Sequence, residues 1–305
     1  MARSRYPADR GLSARMAFTV FAIGLLFVAF IVALWALRVP IVLIAVIAVV
    51  VLGAQYWFAD RIAMFSMNAH EVSPADAPEL HAIVDRLCAL ADLSKPKVAI
   101  ADSDVPNAFA TGRNQRSAVV AVTTGLLARL DDAEVEAVLA HELSHVAHRD
   151  VAVMTVASLL GLLAGLLTRF ALYAGFFGGF GSSDNEEEDS GLIFLAVLAV
   201  SALVYGLSFL LTRALSRYRE LAADRGAAIV TGAPATLAAA LVKVTGEMAR
   251  IPTQDLRAAE PMNAFFFAPA LAPGFSLSSL FSTHPSLEQR LDQLARIQTE
   301  MGSPA

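Results

Sequence analysis

The chain has 305 residues, 56% of them hydrophobic, and a mean hydropathy of +0.59. These values exceed those of ordinary soluble domains and predict an integral membrane protein with one extramembrane domain. The net charge of −5 and the absence of a basic tract argue against binding to nucleic acid. Cys88 is the only cysteine, so an internal disulfide is excluded and a zinc site must use histidine and carboxylate ligands.

The first 59 residues predict a basic arm followed by a hairpin of two membrane helices. The arm covers residues 1–15, and its arginines are Arg3, Arg5, Arg10 and Arg15. Residues 16–37 carry no charge and are long enough to cross a bilayer, whereas a cleaved signal peptide would have a shorter apolar core. After a break at Pro40, residues 41–59 predict a second span with aromatic side chains near its end.

Residues 60–150 have the composition of a globular domain and predict its first part. A helix is predicted over residues 78–90, where proline and glutamate begin an amphipathic pattern. Short strands are predicted over residues 97–101 and 118–122, which are runs of valine, isoleucine and alanine between turn residues.

The helix predicted over residues 131–150 carries the clearest chemical signal. His141 and His145 are four residues apart, so both imidazoles project from one helix face and can bind one metal ion. Glu142 is turned by about 100° from His141, which lets it reach a water molecule at that metal without being a ligand. The H-E-x-x-H pattern is typical of zinc-dependent peptidases, in which the glutamate is the general base. The alternative is a chance match in an alanine-rich helix, but burying these polar groups without a purpose is costly.

Residues 151–168 and 192–212 predict the third and fourth membrane helices, with an acidic loop between them. The acidic run over residues 184–189 is interpreted as a solvated loop, because it lacks the spacing of a calcium-binding EF-hand. The two apolar segments either cross the bilayer or form a hairpin that enters it in part. In both cases the ends of the hairpin emerge on one side of the membrane.

The distribution of arginines predicts the orientation of the chain. Arginines occur in the N-terminal arm, at Arg61 and between Arg213 and Arg219, whereas residues 173–191 contain acidic residues and no basic one. The positive-inside rule therefore places both termini, the H-E-x-x-H helix and residues 213–305 in the cytoplasm.

A catalytic zinc ion of this kind needs a third protein ligand. His148 follows closely on the same helix, but a hydrogen-bonding role at the helix end is the preferred interpretation. Glu220 and Asp224 are the better candidates, because helical spacing places them on one face, one turn apart. Glu220 would complete the ligand set, and Asp224 could accept the ring N–H of a histidine ligand. The alternative is a solvated pair of carboxylates among arginines.

Four segments together resemble the HtpX family of membrane metallopeptidases, relatives of the CAAX prenyl proteases within the gluzincin group. The segments are H-E-L-S-H at 141–145, Asp150, E-L-A-A-D at 220–224 and N-A-F-A-T-G at 107–112. The resemblance extends over residues 74–294 and includes the hairpin between the two ligand helices. It implies a mainly α integral membrane protein with four hydrophobic helices and a cytoplasmic α+β gluzincin-like peptidase domain that contains a small β-sheet.

The resemblance also implies the roles of individual residues. One Zn²⁺ ion per chain would be bound by His141, His145 and Glu220. Glu142 would be the catalytic base, and Asp224 would hold a histidine ligand in position.

Two further segments carry expectations about the substrate. His284 precedes Pro285, a step that the family commonly has before its last helix; it is either an oxyanion donor or only the start of that helix. An edge strand beside the site is predicted for Asn107, Ala108, Phe109 and Ala110, which would hold an extended substrate by strand addition. The alternative is that Phe109 and its neighbours only fill the core. No role is assigned to residues 251–282.

The combined prediction is a zinc endopeptidase of the inner (plasma) membrane that acts in quality control. The short helical distances between the ligands and the predicted spans place the zinc ion near the cytoplasmic membrane surface. The expected partners are therefore the lipid bilayer and membrane-protein or peptide substrates. A prenyl-protein protease is the alternative enzyme, and a metal-stabilised scaffold or chaperone without turnover is the alternative from another class.

Overall fold

The computed structural model describes residues 10–37, 41–112, 114–177, 187–248 and 284–302 of the chain. Over these residues the fold is mainly helical and contains a small four-stranded mixed sheet, as the sequence predicts. The described helices are α1 (Arg10–Ala36), α2 (Ile41–Ser66), α3 (Pro78–Ala91), α4 (Thr124–Leu127), α5 (Asp132–His148), α6 (Asp150–Phe177), α7 (Glu187–Thr231), α8 (Pro234–Met248) and α9 (Leu287–Gly302). The described strands are β1 (Ala69–Glu71), β2 (Lys97–Ala101), β3 (Ala108–Thr111) and β4 (Val119–Thr123).

Within the described part of the chain, three helices are long and apolar enough to cross a membrane. They are α1, the stretch Asp150–Arg169 of α6 and the stretch Gly191–Thr231 of α7, with mean hydropathies of 2.8, 2.2 and 2.4. These stretches correspond to the first, third and fourth predicted spans. Helix α2 forms where the second span is predicted, but several of its side chains lie outside the described residues. The second membrane span therefore stays a prediction.

Helix α7 differs most from the segment predicted for it. It continues for 45 residues, or about 67 Å, from the fourth apolar segment through Glu220 and Asp224. No proline interrupts this stretch, so the helix does not end where the apolar residues end. The acidic residues Glu187, Glu188 and Asp189, for which a solvated loop is expected, are part of this helix. Residues 184–186 of the acidic run lie outside the described part.

The H-E-x-x-H helix and the next membrane helix are separated by one residue. Helix α5 begins with a capping box between Asp131 and Glu134 and ends at His148. Arg149 adopts the left-handed conformation (φ 56°, ψ 42°), and its N–H bonds to the carbonyl groups of the last turn. Asp150 then begins α6. This tight connection holds the end of α5 close to the membrane-spanning part of the chain.

The sheet has the strand order β1-β2-β4-β3. Strands β2 and β4 are parallel, and β1 and β3 flank them in antiparallel directions. Every residue of β4 is buried, which explains its unbroken run of valine, alanine and threonine. Strand β3 lies at one edge, next to α5. The edge strand expected between the two predicted strands is thus present, although it begins at Ala108 and not at Asn107.

Two large apolar clusters support these elements, and a smaller third one lies at the sheet. The first joins the sheet to α3, α5, α8 and α9, and α5 contributes Val138, Leu139 and Leu143 to its centre. The second joins α1, α6 and α7 and includes Phe30, Leu34, Leu160, Val204 and Leu215. On its opposite side α1 exposes large side chains such as Phe18, Phe21 and Trp35, as expected for a helix that faces lipid. Helix α7 contributes to both clusters and so connects the membrane bundle to the extramembrane domain.

Candidate metal centre

Helices α5 and α7 bring together two histidines and one glutamate. The Nε2 atoms of His141 and His145 are 3.1 Å apart. Glu220 approaches them from α7, with Oε2 3.6 Å from His141 Nε2 and Oε1 3.4 Å from His145 Nε2. All three side chains are largely buried, and they form the group of residues that can hold a metal ion in the described chain.

The distances among these three residues fit a zinc ion. A tetrahedral zinc site with bonds of about 2.0–2.1 Å has ligand–ligand distances of about 3.3–3.4 Å, close to those observed here. The buried Oε2 atom of Glu220 has no hydrogen bond of good geometry, although His284 Nδ1 lies 3.0 Å from it. A carboxylate oxygen in that condition fits a cation as its partner.

The second nitrogen of each histidine faces a carboxylate. His141 Nδ1 lies 2.9 Å from Asp224 Oδ1, and His145 Nδ1 lies 2.7 Å from Asp150 Oδ2. Each Nδ1–H therefore donates to a carboxylate, and in the neutral imidazole the Nε2 atom carries the lone pair. Two lone pairs that face each other at 3.1 Å repel unless a cation lies between them. This arrangement is the usual support of histidine ligands in metal sites.

Asp150 and Arg219 form a contact that sequence reasoning missed. Asp150 lies in the first turn of α6 and pairs with both His145 and the guanidinium group of Arg219 on α7. Arg219 also donates to the backbone carbonyl of His148, at 3.4 Å. Asp150 is visible in the sequence as part of the family resemblance, but its distance from His145 along the chain gives no helical register. Only the break at Arg149 turns its side chain back towards the histidine.

Arg290 is the second residue that sequence reasoning missed. It comes from α9, is 2% exposed, and donates two hydrogen bonds of 2.8 and 2.6 Å to Asp224. Burial has the largest single effect and lowers the pKa of the Arg290 guanidinium group, but the carboxylates of Asp224, Glu220 and Glu142 together raise this pKa above its ordinary value. Each carboxylate that supports a histidine is thus held by an arginine from another part of the chain.

Burial and charge act in opposite directions on the titratable groups of α5. Burial alone would lower the pKa of His141, but its contacts with Asp224 and Glu220 raise the pKa. The pKa of His145 is likewise raised against the effect of burial, mainly by Glu220. Burial raises the pKa of Glu142, while the two imidazoles oppose this shift. A carboxylate with a raised pKa is a stronger base, which suits the predicted role of Glu142.

The structure leaves His148 out of the metal-binding group and gives it another environment. It is the last residue of α5, and burial together with the charge of Arg219 lowers its pKa. A hydrogen bond with the backbone of Ser144 opposes that shift. This position agrees with the preferred interpretation of His148 as a hydrogen-bonding residue at the helix end.

His284 lies beside the metal-binding group. Its side chain is buried, and Nδ1 is 3.0 Å from Glu220 Oε2. The start of α9 is formed by Ser286, whose hydroxyl accepts from the N–H of Gln289 while the Gln289 side chain accepts from the Ser286 N–H. Ser286 therefore caps the start of α9, and His284 does not. The ring of His284 is directed to Glu220. The oxyanion role stays a prediction.

A cleft of about 530 Å³ opens beside the metal-binding group. Its walls include Glu142 and the residues Ala108, Phe109, Ala110 and Thr111 of β3. Asn107 lies outside the cleft, fully buried, and its N–H donates to Thr123 Oγ1. Phe109 borders the cleft but is only 2% exposed and belongs to an apolar cluster under the sheet. The strand thus borders the cleft and Phe109 also fills the core, and substrate addition stays a prediction. Residues 251–282 lie outside the described part.

Comparison with known proteins supplies independent information. Residues 74–298 match the profile described as "Peptidase family M48". The chain is 59% identical over 300 residues to "Protease HtpX homolog 1" of Streptomyces coelicolor, a match that covers 98% of this chain and 97% of that protein. It is 53% identical over 300 residues to "Protease HtpX homolog" of Moorella thermoacetica, with 98% of each chain covered. A homologue with the same description in Pyrococcus abyssi is 42% identical over 248 residues, which is 81% of this chain and 83% of that one.

A solved structure has a similar fold. The crystal structure of S. mikatae Ste24p aligns with a TM-score of 0.52 at 18% sequence identity. The alignment covers 94% of this chain and 66% of that protein. At this low identity the similarity concerns the fold alone.

Proposed function

The chain belongs to peptidase family M48, a family of zinc metallopeptidases, and on that premise we propose that it hydrolyses peptide bonds in membrane proteins or in their cytoplasmic loops. The observation that carries the proposal is the convergence of His141, His145 and Glu220, with ring nitrogens that face each other next to a buried Glu142. This donor set is that of a catalytic zinc site, which uses three protein ligands and leaves a position open.

The residues of the chain have distinct tasks in this reaction. A zinc ion held by the three ligands would supply Lewis acidity for polarising the scissile carbonyl and activating water. Glu142 accepts a proton from the attacking water and passes it to the leaving amine. Asp150 and Asp224 fix the tautomers of the two histidines, so the site is oriented before substrate arrives. His284 donates a hydrogen bond to the oxyanion.

The cleft next to β3 supports binding of an extended substrate. The edge of β3 that faces away from β4 offers backbone groups to a substrate strand, and β3 lines the cleft whereas no residue of β4 does. A peptide held next to Glu142 would then run along Ala108, Phe109 and Ala110, with Asn107 anchoring the beginning of the strand through Thr123.

Membrane proteins are the proposed substrates because the site lies next to membrane-spanning residues. Asp150 is both the partner of His145 and the first residue of a candidate membrane span. The distribution of arginines supports a cytoplasmic peptidase domain, cytoplasmic termini and insertion into the inner (plasma) membrane. Removal of damaged membrane proteins is the cellular role that fits this position.

The competing functions make different demands on the site. A scaffold or chaperone without turnover requires metal ligands but not a buried base in the cleft, so Glu142 favours an enzyme. A prenyl-protein protease uses the same chemistry on a lipidated substrate. The similarity to S. mikatae Ste24p concerns the fold and does not favour that substrate.

The test is a comparison of the purified wild-type protein with Glu142→Gln. The variant should keep bound zinc, while cleavage of a membrane-protein substrate and self-cleavage fall by at least about 100-fold. Glu136→Gln on the same helix is the matched control, because Glu136 only pairs with Arg86 at the surface and its loss should change activity little. Equal proteolysis by wild type and Glu142→Gln would refute the proposal.

A further inference from the structure

The cleft beside the metal-binding group extends along a membrane helix. Val151, Met154, Thr155 and Ser158 of α6 line it. Their spacing places them on one helix face, over a length of about 10 Å. All four belong to the candidate membrane span Asp150–Arg169. Besides β3, the cleft is therefore lined by the first two turns of a candidate membrane-spanning helix.

The chemistry of this wall is mainly apolar. Met154 presents a flexible thioether side chain, and Val151 and Thr155 add methyl groups. Ile62 of α2 contributes another apolar side chain to the cleft. The charged residues Asp150 and Arg219 also border the cleft, but they pair with each other. A charged substrate side chain directed at α6 would lose its hydration without gaining a free partner.

We propose that this face of α6 is a binding site for large apolar side chains of the substrate next to the scissile bond. One side of the extended substrate would pair with β3, and its alternate side chains would contact Met154 and the neighbouring residues of α6. The inference rests on the proposed peptidase function and names its substrate class. The preferred substrates are extended segments directly next to a transmembrane helix that carry residues such as leucine or methionine at the cleavage site.

The level of the cleft relative to the membrane explains why such segments would be selected. Because the candidate span of α6 begins at Asp150, the inference places the side chains of Met154 and Ser158 at the depth where a transmembrane substrate leaves the lipid. Segments at that depth carry apolar residues more often than solvent-exposed loops do. The apolar face of α6 and the position of the cleft next to the membrane therefore favour the same substrates, which are apolar segments next to a transmembrane helix.

The experiment uses full-length protein in detergent and two fluorogenic peptides that differ only in leucine or alanine on either side of the scissile bond. Wild type should cleave the leucine peptide with a kcat/KM roughly 10- to 100-fold higher, the range expected for small changes in an apolar pocket. Met154→Trp fills the cleft and should lower kcat/KM for the leucine peptide at least tenfold while changing the alanine peptide less than threefold. Met154→Ala widens the cleft and should raise KM for the leucine peptide.

Val156→Trp is the matched control. Val156 lies on the opposite face of α6 and is 67% exposed, so a tryptophan there adds the same bulk to the same helix without entering the cleft. Its leucine-to-alanine ratio should equal that of wild type. Met154→Trp is judged not to fold if it loses zinc binding. In that case the leucine-to-alanine ratio of kcat/KM in Met154→Ala, compared with wild type, tests the α6 binding site.

The outcomes separate this inference from the proposed function. The peptidase function is refuted if wild type cleaves neither peptide with zinc present. It is also refuted if Glu142→Gln cleaves both peptides as well as wild type does. If wild type cleaves both peptides but the ratio is the same in wild type, Met154→Ala, Met154→Trp and Val156→Trp, the α6 binding site is refuted and the peptidase function stands.

Discussion

Replacing Asp224 with asparagine removes one negative charge from the buried support of the metal centre. The side chain is fully buried, accepts hydrogen bonds of 2.8 and 2.6 Å from Arg290, and lies 2.9 Å from His141 Nδ1. Asparagine keeps the size of the side chain, but its amide group turns one acceptor into a donor. That donor would face either Arg290 or the Nδ1–H of His141, both of which need an acceptor.

The magnitude follows from these contacts. Loss of the carboxylate that orients a histidine ligand weakens metal binding by about 10- to 100-fold, or roughly 1.4–2.7 kcal/mol. Breaking a buried ion pair by removing one partner costs about 3–5 kcal/mol, because the other charge stays buried without compensation. We therefore expect Asp224→Asn to bind zinc 10- to 100-fold more weakly and to unfold at a lower temperature.

The assay is competition for zinc with a chromogenic chelator, in a Glu142→Gln background that prevents self-cleavage. Asp85→Asn is the matched control, since Asp85 is solvent-exposed and pairs only with Lys95 at the surface. The double variant Asp224→Asn/Arg290→Met should lose less stability than the two single variants lose in sum, because it leaves no unpaired buried guanidinium group. A zinc affinity of Asp224→Asn within twofold of its parent would show that the contact does not support the metal centre.

Three further predictions concern other parts of the fold. Arg219→Met should weaken zinc binding severalfold by freeing Asp150, with partial recovery in Arg219→Lys; unchanged affinity in a chelator competition would contradict this. Gly125→Ala should destabilise the fold by about 1–3 kcal/mol, because a Cβ atom there meets backbone atoms, whereas Gly246→Ala in an open helix position should not lower the melting temperature. The Cys88 thiol is buried and its pKa is raised to about 11 by burial, so at pH 8 it should react with a maleimide only as fast as the protein opens.

The elements with strong local signals could be predicted from the sequence. The capping box of α5 and the shared face of His141 and His145 follow from helical geometry, which depends only on neighbouring residues. The β2 and β4 strands follow from short apolar runs bounded by turn residues. The apolar segments of α1, α6 and α7 follow from hydropathy, because a span requires only length and the absence of charge.

The ends of the membrane helices could not be predicted in the same way. Hydropathy marks where apolar residues stop, but a helix stops only where the backbone loses its hydrogen bonds or a cap intervenes. Helix α7 therefore continues past the apolar segment as far as Thr231. Helix α5, by contrast, ends earlier than predicted, directly before the membrane helix α6. Arg149 ends it in a left-handed conformation, without the glycine that usually signals such an end.

The sequence by itself determined which side chains share a helix face, since a rise of about 1.5 Å and a turn of about 100° per residue are fixed by the backbone. It therefore paired His141 with His145 and Glu220 with Asp224. Only the tertiary structure decided that these two faces meet, and that Asp150, Arg219 and Arg290 support the histidines. Those contacts join residues from α5, α6, α7 and α9, and their distances depend on how the helices pack against one another, which no local pattern encodes.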